Sequence, residues 1–244
     1  MSEQPLHLAM WSGPRNISTA MMRAWGNRPD TFVCDEPFYA HYLASTGKDH
    51  AMANEIIAQG ETDWQQVVAW LTGPVPEGKR IFYQKQMTHH MLPHIERDWL
   101  SQVTNCFLIR HPAEVIPSYI KKQGDPEVMD LGYVQQAELF DWVQAHTNTT
   151  PPVIDTKDVL DTPEHTLRLL CTALNIEFTP AMLSWPPGMR STDGIWAPHW
   201  YPEVETSTSF RPYQPKAEPI PEHLQGVYEQ CLVPYERLYA HRLH

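Results

Sequence analysis

Between Leu6 and Trp25 the chain reads LHLAMWSGPRNISTAMMRAW: an apolar run, a Ser12-Gly13-Pro14-Arg15-Asn16 turn and at once a helical pattern. This order predicts a buried strand and a helix whose first, unpartnered N–H groups point back at the turn. Those groups and the helix dipole favour an anion. Arg15 adds a full positive charge, Asn16 an amide, and Ser18 and Thr19 hydroxyls in the first helical turn. The chemistry is that of a phosphate site. A second such group follows VTNCFLI at 103–109: Arg110, then a helix opened by Pro112 that carries Ser118 and Tyr119. Proline suits a first helical turn, where its missing N–H would have no partner. On a helix counted from His111, positions 111, 114, 115 and 118 share a face, so Ser118 looks toward Arg110. Two cation-and-hydroxyl sites at neighbouring strand ends suit a ligand with phosphates at two places, because ligands of such sheets sit at the carboxyl ends of the strands.

The elements that must hold these groups alternate. Strands are expected at 6–11, 31–34, 80–85, 103–109 and 153–155, and helices at 17–25, 112–122, 131–146 and 163–174. Residues 38–72 read as helical excursions, with Asp63 as an N-cap. The Pro- and Trp-rich stretch 179–221 reads as a functional loop or lid, and a last helix covers 222–243. The alternation predicts an α/β fold: a mostly parallel central sheet with helices on both faces, in one domain spanning 1–244.

Bulk composition narrows the partners. A net charge of −11 disfavours nucleic acid and anionic membrane, so an anionic ligand must be held by local cations. Four widely spaced cysteines without a CxxC pair read as reduced thiols of a cytoplasmic protein. The start, MSEQPLHL, lacks the basic and apolar segments of a signal peptide, and no apolar run reaches membrane-spanning length. Thirteen histidines include no HExxH, and the adjacent His89 and His90 are expected to point apart, so no metal site is expected.

The paired motifs resemble those of the 3′-phosphoadenylyl-sulfate-dependent sulfotransferases. That family binds the 5′-phosphosulfate on a PxSGTT or PRSGTT strand–loop–helix and the 3′-phosphate on RxPxxxxxS. Pro14-Arg15-Asn16-Ile17-Ser18-Thr19 stands in the first position, with Ile17 where the family has glycine. Arg110-His111-Pro112 to Ser118 stands in the second, with the Arg-to-Ser spacing intact. The blocks DEPFYAHYL, YQKQMTHH and GIWAPHWYPEVETSTSF are similar to a bacterial sulfotransferase-like branch, sometimes labelled aminotransferase-like; no pyridoxal-phosphate lysine context stands out. The resemblance implies a P-loop-NTPase-like three-layer αβα fold and 3′-phosphoadenylyl sulfate as donor, with adenosine 3′,5′-bisphosphate as product. It implies no metal, and donor contacts from Ser12, Gly13, Arg15, Asn16, Ser18, Thr19, Arg110 and Ser118. Arg190 stands where related enzymes bring a C-terminal loop over the 3′-phosphate.

For catalysis the resemblance points to the K-T-H block, here Lys85 to His90 with an extra residue. Either His89 or His90 is the expected base, because imidazole titrates near neutrality. Lys85 and Arg15 are expected to neutralise charge on the leaving phosphate. Asp35 and Glu36 either bind an amine of a small-molecule acceptor, serve as an alternative base, or cap the helix starting near Pro37. Trp196 and Trp200 are expected to cover nucleotide or acceptor. The rivals are a P-loop kinase and a non-catalytic nucleotide-binding protein. Against the first, Gly13 to Thr19 lacks the second glycine and the lysine of GxxxxGK[ST].

Overall fold

A computed structural model describes residues 5–215 and 218–244. The first residues of MSEQPLHL and positions 216–217 of the expected lid lie outside the described residues. Five strands, β1 (Leu6–Ser12), β2 (Thr31–Asp35), β3 (Ile81–Met87), β4 (Thr104–Ile109) and β5 (Val153–Asp155), form one all-parallel sheet in the order β2-β3-β1-β4-β5. The helices are α1 (Ser18–Gly26), α2 (Tyr39–Thr46), α3 (Ala53–Gln59), α4 (Trp64–Leu71), α5 (Pro112–Gln123) and α6 (Val128–Leu131). They continue with α7 (Tyr133–Thr147), α8 (Thr156–Asp161), α9 (Pro163–Ala173), α10 (Ala197–Trp200), α11 (Pro202–Glu205) and α12 (Gln225–Tyr239).

Side chains alternate across a strand, and β1 shows what each face meets. Leu8 and Met10 pack with Met21 and Trp25 of α1 and Leu167 and Leu170 of α9. Ala9 and Trp11 pack on the opposite face, with Leu71 of α4, Phe140 of α7 and Leu238 of α12. Both faces are covered, which is why Leu8–Trp11 of β1 and Cys106–Ile109 of β4 run apolar without alternation. The fold is therefore a parallel sheet between two helical layers, as the alternation predicts.

Several boundaries differ from expectation for local reasons. β3 continues through the polar Gln84-Lys85-Gln86 to Met87 because it pairs with β1 on one side and β2 on the other. Gly132, at φ +74°, separates α6 from α7, so the expected helix from 131 begins at Tyr133. Asp63 caps α4 as expected, accepting a hydrogen bond from Gln65 N at 2.9 Å. The lid region holds the two short helices α10 and α11, and its flanks meet in an antiparallel bridge between Ser184 and Ser209. Among the described residues no helix is long and apolar enough to cross a membrane.

Candidate active site

The carboxyl ends of the central strands open into a cavity of about 670 Å³, lined by both phosphate motifs. Its floor is the β1–α1 turn. Gly13 passes so close to α6 that a Cβ there would stand 2.6 Å from the Leu131 carbonyl oxygen. Arg15 adopts φ +58°, a left-handed conformation that side chains other than glycine seldom take. Ile17 sits at the N-cap of α1 without a side-chain cap, so the first N–H groups stay available to a ligand. Ser18 and Thr19 follow, both lining the cavity. Asn16 ties the turn to the neighbouring elements: its Oδ1 accepts from Thr156 Oγ1 at 2.9 Å and its Nδ2 donates to Leu108 O at 3.4 Å. Gln136 of α7, which no sequence pattern marks, donates from Nε2 to the carbonyls of Trp11 and Leu108, 3.1 Å each, and clips β1 to β4.

The second motif closes on the first. Arg110 Nη1 donates to Arg15 O at 2.9 Å, and Arg15 Nε donates to Ser118 Oγ at 3.1 Å. Ser118 was expected to look toward Arg110; it instead meets Arg15, whose left-handed backbone swings the guanidinium across to α5. Arg110 Nε is held by Glu114 Oε2 at 2.9 Å, and Tyr213 of the lid donates to the other Glu114 oxygen. Burial pulls the Arg15 guanidinium below its ordinary pKa; Glu203 opposes this and Arg110 adds to it. Two guanidinium groups and two hydroxyl-bearing helix turns thus line one cavity.

Across from them stand the histidines. Thr88–His90 forms a 3₁₀ turn, and this turn brings the two rings into edge contact with centroids 4.4 Å apart. The expectation that they diverge holds for a helix or a strand, and the chain is neither there. Both rings line the cavity, and neither Nδ1 has a hydrogen-bond partner among the described residues. Burial lowers both pKa values well below the ordinary histidine range, with a neighbouring imidazole adding to it in each case. Each ring is therefore neutral near pH 7. Tyr39 stacks on His90 at 4.9 Å and donates to or accepts from His50 Nδ1 at 2.8 Å.

Lys85 lines the same cavity and stands in an ion cluster of its own. Its ammonium, 1 % exposed, gives its three protons to Asp35 Oδ1 (2.8 Å), Glu36 Oε1 (2.5 Å) and Tyr201 OH (2.6 Å). Burial works against this charge, yet Asp35 and Glu36 outweigh it and hold the pKa well above the ordinary lysine value. All three donors are engaged, and Lys85 is the counter-ion of the two carboxylates. The two carboxylates do not cap a helix, since α2 starts at Tyr39 with no side-chain cap. Asp35 is buried behind Glu36 and also accepts from Tyr201 OH and from Gly194 N, at 3.1 Å. Burial raises its pKa, against the pull of Lys85. Tyr201 and Gly194 belong to the lid, so the β2–β3 ends hold the lid down.

Three other expected contacts fall elsewhere. Arg190 donates to the carbonyls of Pro186, Pro187 and Gly188, because its own loop curls around the guanidinium, and it lines a separate cleft of about 410 Å³. Trp196 lies beneath the cavity wall with Nε1 on Tyr201 OH at 3.1 Å, whereas Trp200 does line the cavity. Ser12 is fully buried and its Oγ points to Met87 Sδ, so it shapes the turn from below. Among the described residues no cluster of His, Cys, Asp and Glu could hold a metal ion.

Comparison with known proteins agrees with this geometry. The chain resembles two Arabidopsis thaliana proteins named branched-chain-amino-acid aminotransferase-like protein 2 and protein 1. It is 33 % identical to the first over 234 residues and 32 % to the second over 244, covering 96 % and 99 % of this chain. It spans only 41 % and 43 % of their lengths. Its fold is shared with a sulfotransferase domain from the Synechococcus PCC 7002 olefin synthase, with a TM-score of 0.61 and 16 % identity, covering 100 % of this chain and 98 % of that one. A sulfotransferase from Alicyclobacillus acidocaldarius gives 0.56 and 11 %, covering 99 % and 98 %. A sulfotransferase domain from the curacin biosynthetic pathway gives 0.53 and 17 %, covering 94 % and 98 %. The family model of the sulfotransferase domain matches residues 6–239, from the first strand through the last helix, and so takes in every residue of the cavity: the chain belongs to that family.

Proposed function

We propose that the protein is a 3′-phosphoadenylyl-sulfate-dependent sulfotransferase that acts on a hydroxyl of a small-molecule acceptor. The observation that carries this reading is the meeting of the Arg15 turn and the Arg110–Ser118 helix in one cavity with two neutral imidazoles. The uncapped N–H groups of α1 and the two guanidinium groups fit a ligand phosphorylated at two places. Arg15, Asn16, Ser18 and Thr19 would hold the 5′-phosphosulfate, and Arg110 and Ser118 the 3′-phosphate.

The donor supplies an activated sulfuryl group: the acceptor oxygen bonds to sulfur as the sulfur–oxygen bond to phosphate breaks, and the electron pair leaves with adenosine 3′,5′-bisphosphate. His89 or His90 takes the hydroxyl proton, a task that a neutral, unpartnered imidazole in a buried site can perform. Arg15 lies where it can meet the charge that grows on the leaving phosphate oxygen. Lys85 acts at one remove, by fixing Glu36 and, through Tyr201, the lid. Residues 6–239 would act as one catalytic domain, and four buried thiols suit a reducing, cytoplasmic setting.

The test is thermal stabilisation. Adenosine 3′,5′-bisphosphate should raise the melting temperature through binding linkage, and adenosine 5′-monophosphate and ATP–Mg²⁺ should raise it less. Equal shifts from the three nucleotides would remove the two-site reading, and a larger shift from ATP–Mg²⁺ would favour a kinase.

A further inference from the structure

We infer that the acceptor is an amino alcohol or phenolic amine, whose ammonium rests against Glu36 and the Trp200 ring while its hydroxyl meets the His89–His90 pair. The inference rests on the sulfuryl-transfer reading of the cavity. It starts from charge. Two carboxylates, Asp35 and Glu36, share one ammonium, Lys85, so the cluster has one carboxylate more than it has cations. Asp35 accepts from Lys85, Tyr201 and a backbone N–H, which suits an ionised carboxylate. The other described groups at this end do not supply the missing cation: His50, His89 and His90 are all kept neutral, chiefly by burial, and Lys48 is taken by Asp130.

Of the two carboxylates only Glu36 lines the cavity. Its position is fixed. The backbone sits at φ +43°, its N–H donates to Lys85 O at 3.0 Å, and Oε1 is on the Lys85 ammonium. A glutamate held in a left-handed conformation marks a place where the surrounding structure over-determines the residue, as sites with a task do. Trp200 lines the same end, and an ammonium is attracted to an indole ring as well as to a carboxylate, while Tyr39 is stacked on His90. His90 is the second, independent sign of a ligand. It is 1 % exposed, lines the cavity, and has an Nδ1 with no partner among the described residues. A single carboxylate with an aromatic ring is a poor metal site and a good ammonium site. The cavity then has two electrostatic ends: guanidinium groups for the anionic donor, and a surplus carboxylate for a cationic acceptor.

The experiment uses the full chain saturated with adenosine 3′,5′-bisphosphate and follows acceptor binding by calorimetry. The panel consists of amino alcohols and phenolic amines, each matched with a carbon isostere in which a methyl replaces the ammonium. At least one amine should bind about tenfold or more tightly than its isostere, and Glu36→Gln, which keeps the shape and an acceptor for Lys85, should reduce that preference to under about threefold. The amines that discriminate should also be the ones labelled when 3′-phosphoadenylyl sulfate is supplied. If no amine in the panel outbinds its isostere in the wild-type protein, or if the preference survives in a folded Glu36→Gln, the inference is overturned while the donor reading stands. Failure of adenosine 3′,5′-bisphosphate to bind at all would instead bring down the donor reading.

Discussion

Replacing Lys85 by methionine removes one buried charge and leaves the shape nearly intact, and so tests what the ammonium does. In the wild-type protein it makes three hydrogen bonds, two of them to carboxylates, at 1 % exposure. Without it, Asp35 and Glu36 are left side by side with no counter-charge, and breaking a buried ion pair from one side costs about 3–5 kcal/mol. A whole domain is stable by only about 5–15 kcal/mol, so the loss is large. It should also depend on pH. With the ammonium gone, one carboxylate retains a proton in the folded state above its unfolded pKa near 4. Between the unfolded and the raised folded value the folded state holds a proton that the unfolded state has lost, so stability falls by about 1.4 kcal/mol per pH unit as pH rises. The deficit of Lys85→Met should therefore be small near pH 5 and complete by about pH 8. Urea denaturation of both proteins at the two pH values measures it, and adding Asp35→Asn should recover part of the loss at the higher pH. A deficit below about 1 kcal/mol at pH 8, or one equal at both pH values, would show that Lys85 is not the counter-ion that holds this end of the sheet.

Other outcomes follow from the same geometry. Arg110→Ala should weaken adenosine 3′,5′-bisphosphate by about 1.5–3 kcal/mol and adenosine 5′-monophosphate much less, as read by calorimetry. Because burial keeps His89 and His90 neutral, the acid limb of kcat should lie below the ordinary histidine range; a limb at or above about pH 6.5 would exclude both as the base. Replacing the true base by alanine should lower turnover with little change in donor affinity, and normal rates in both single variants would move attention to Glu36. Burial raises Asp155 to a pKa of about 6, so its folded form keeps a proton that the unfolded form loses as pH climbs toward that value. Stability should fall across that window by about 2–3 kcal/mol, and Asp155→Asn, which retains an N-cap for α8, should flatten the change in denaturation curves.

How much of this could be read from the sequence depends on how far apart the cooperating residues lie along the chain. The Arg15 turn and the Arg110–Ser118 helix were legible because each is a strand, a turn and a helix in succession, and local order fixes which groups stand at a strand end, though not that Ser118 meets Arg15. The acceptor end is assembled otherwise. Asp35 meets Lys85 because β2 pairs with β3 in that register, a neighbour relation that no spacing in the sequence reveals. Tyr201 arrives from a Pro- and Trp-rich stretch with no periodicity, and Gln136 from the face of a helix whose apolar pattern says nothing of a polar clip. The run Gln84-Lys85-Gln86 conceals that the strand stays buried and extends to Met87, since its charge is neutralised only by partners elsewhere. The segment from Thr179 to Pro221 stood out as a change in composition, but which of its tryptophans line the cavity did not: Trp200 does and Trp196 does not. The division has a functional consequence. Substitutions within α10 would reshape the proposed acceptor end without touching the β1–α1 and β4–α5 turns, whereas α11 carries Glu203, whose charge acts on Arg15. Tyr201 bonds to the Lys85 cluster on which Glu36 depends. Tyr201→Phe should therefore disturb acceptor binding while leaving the affinity for adenosine 3′,5′-bisphosphate unchanged, as calorimetry would show.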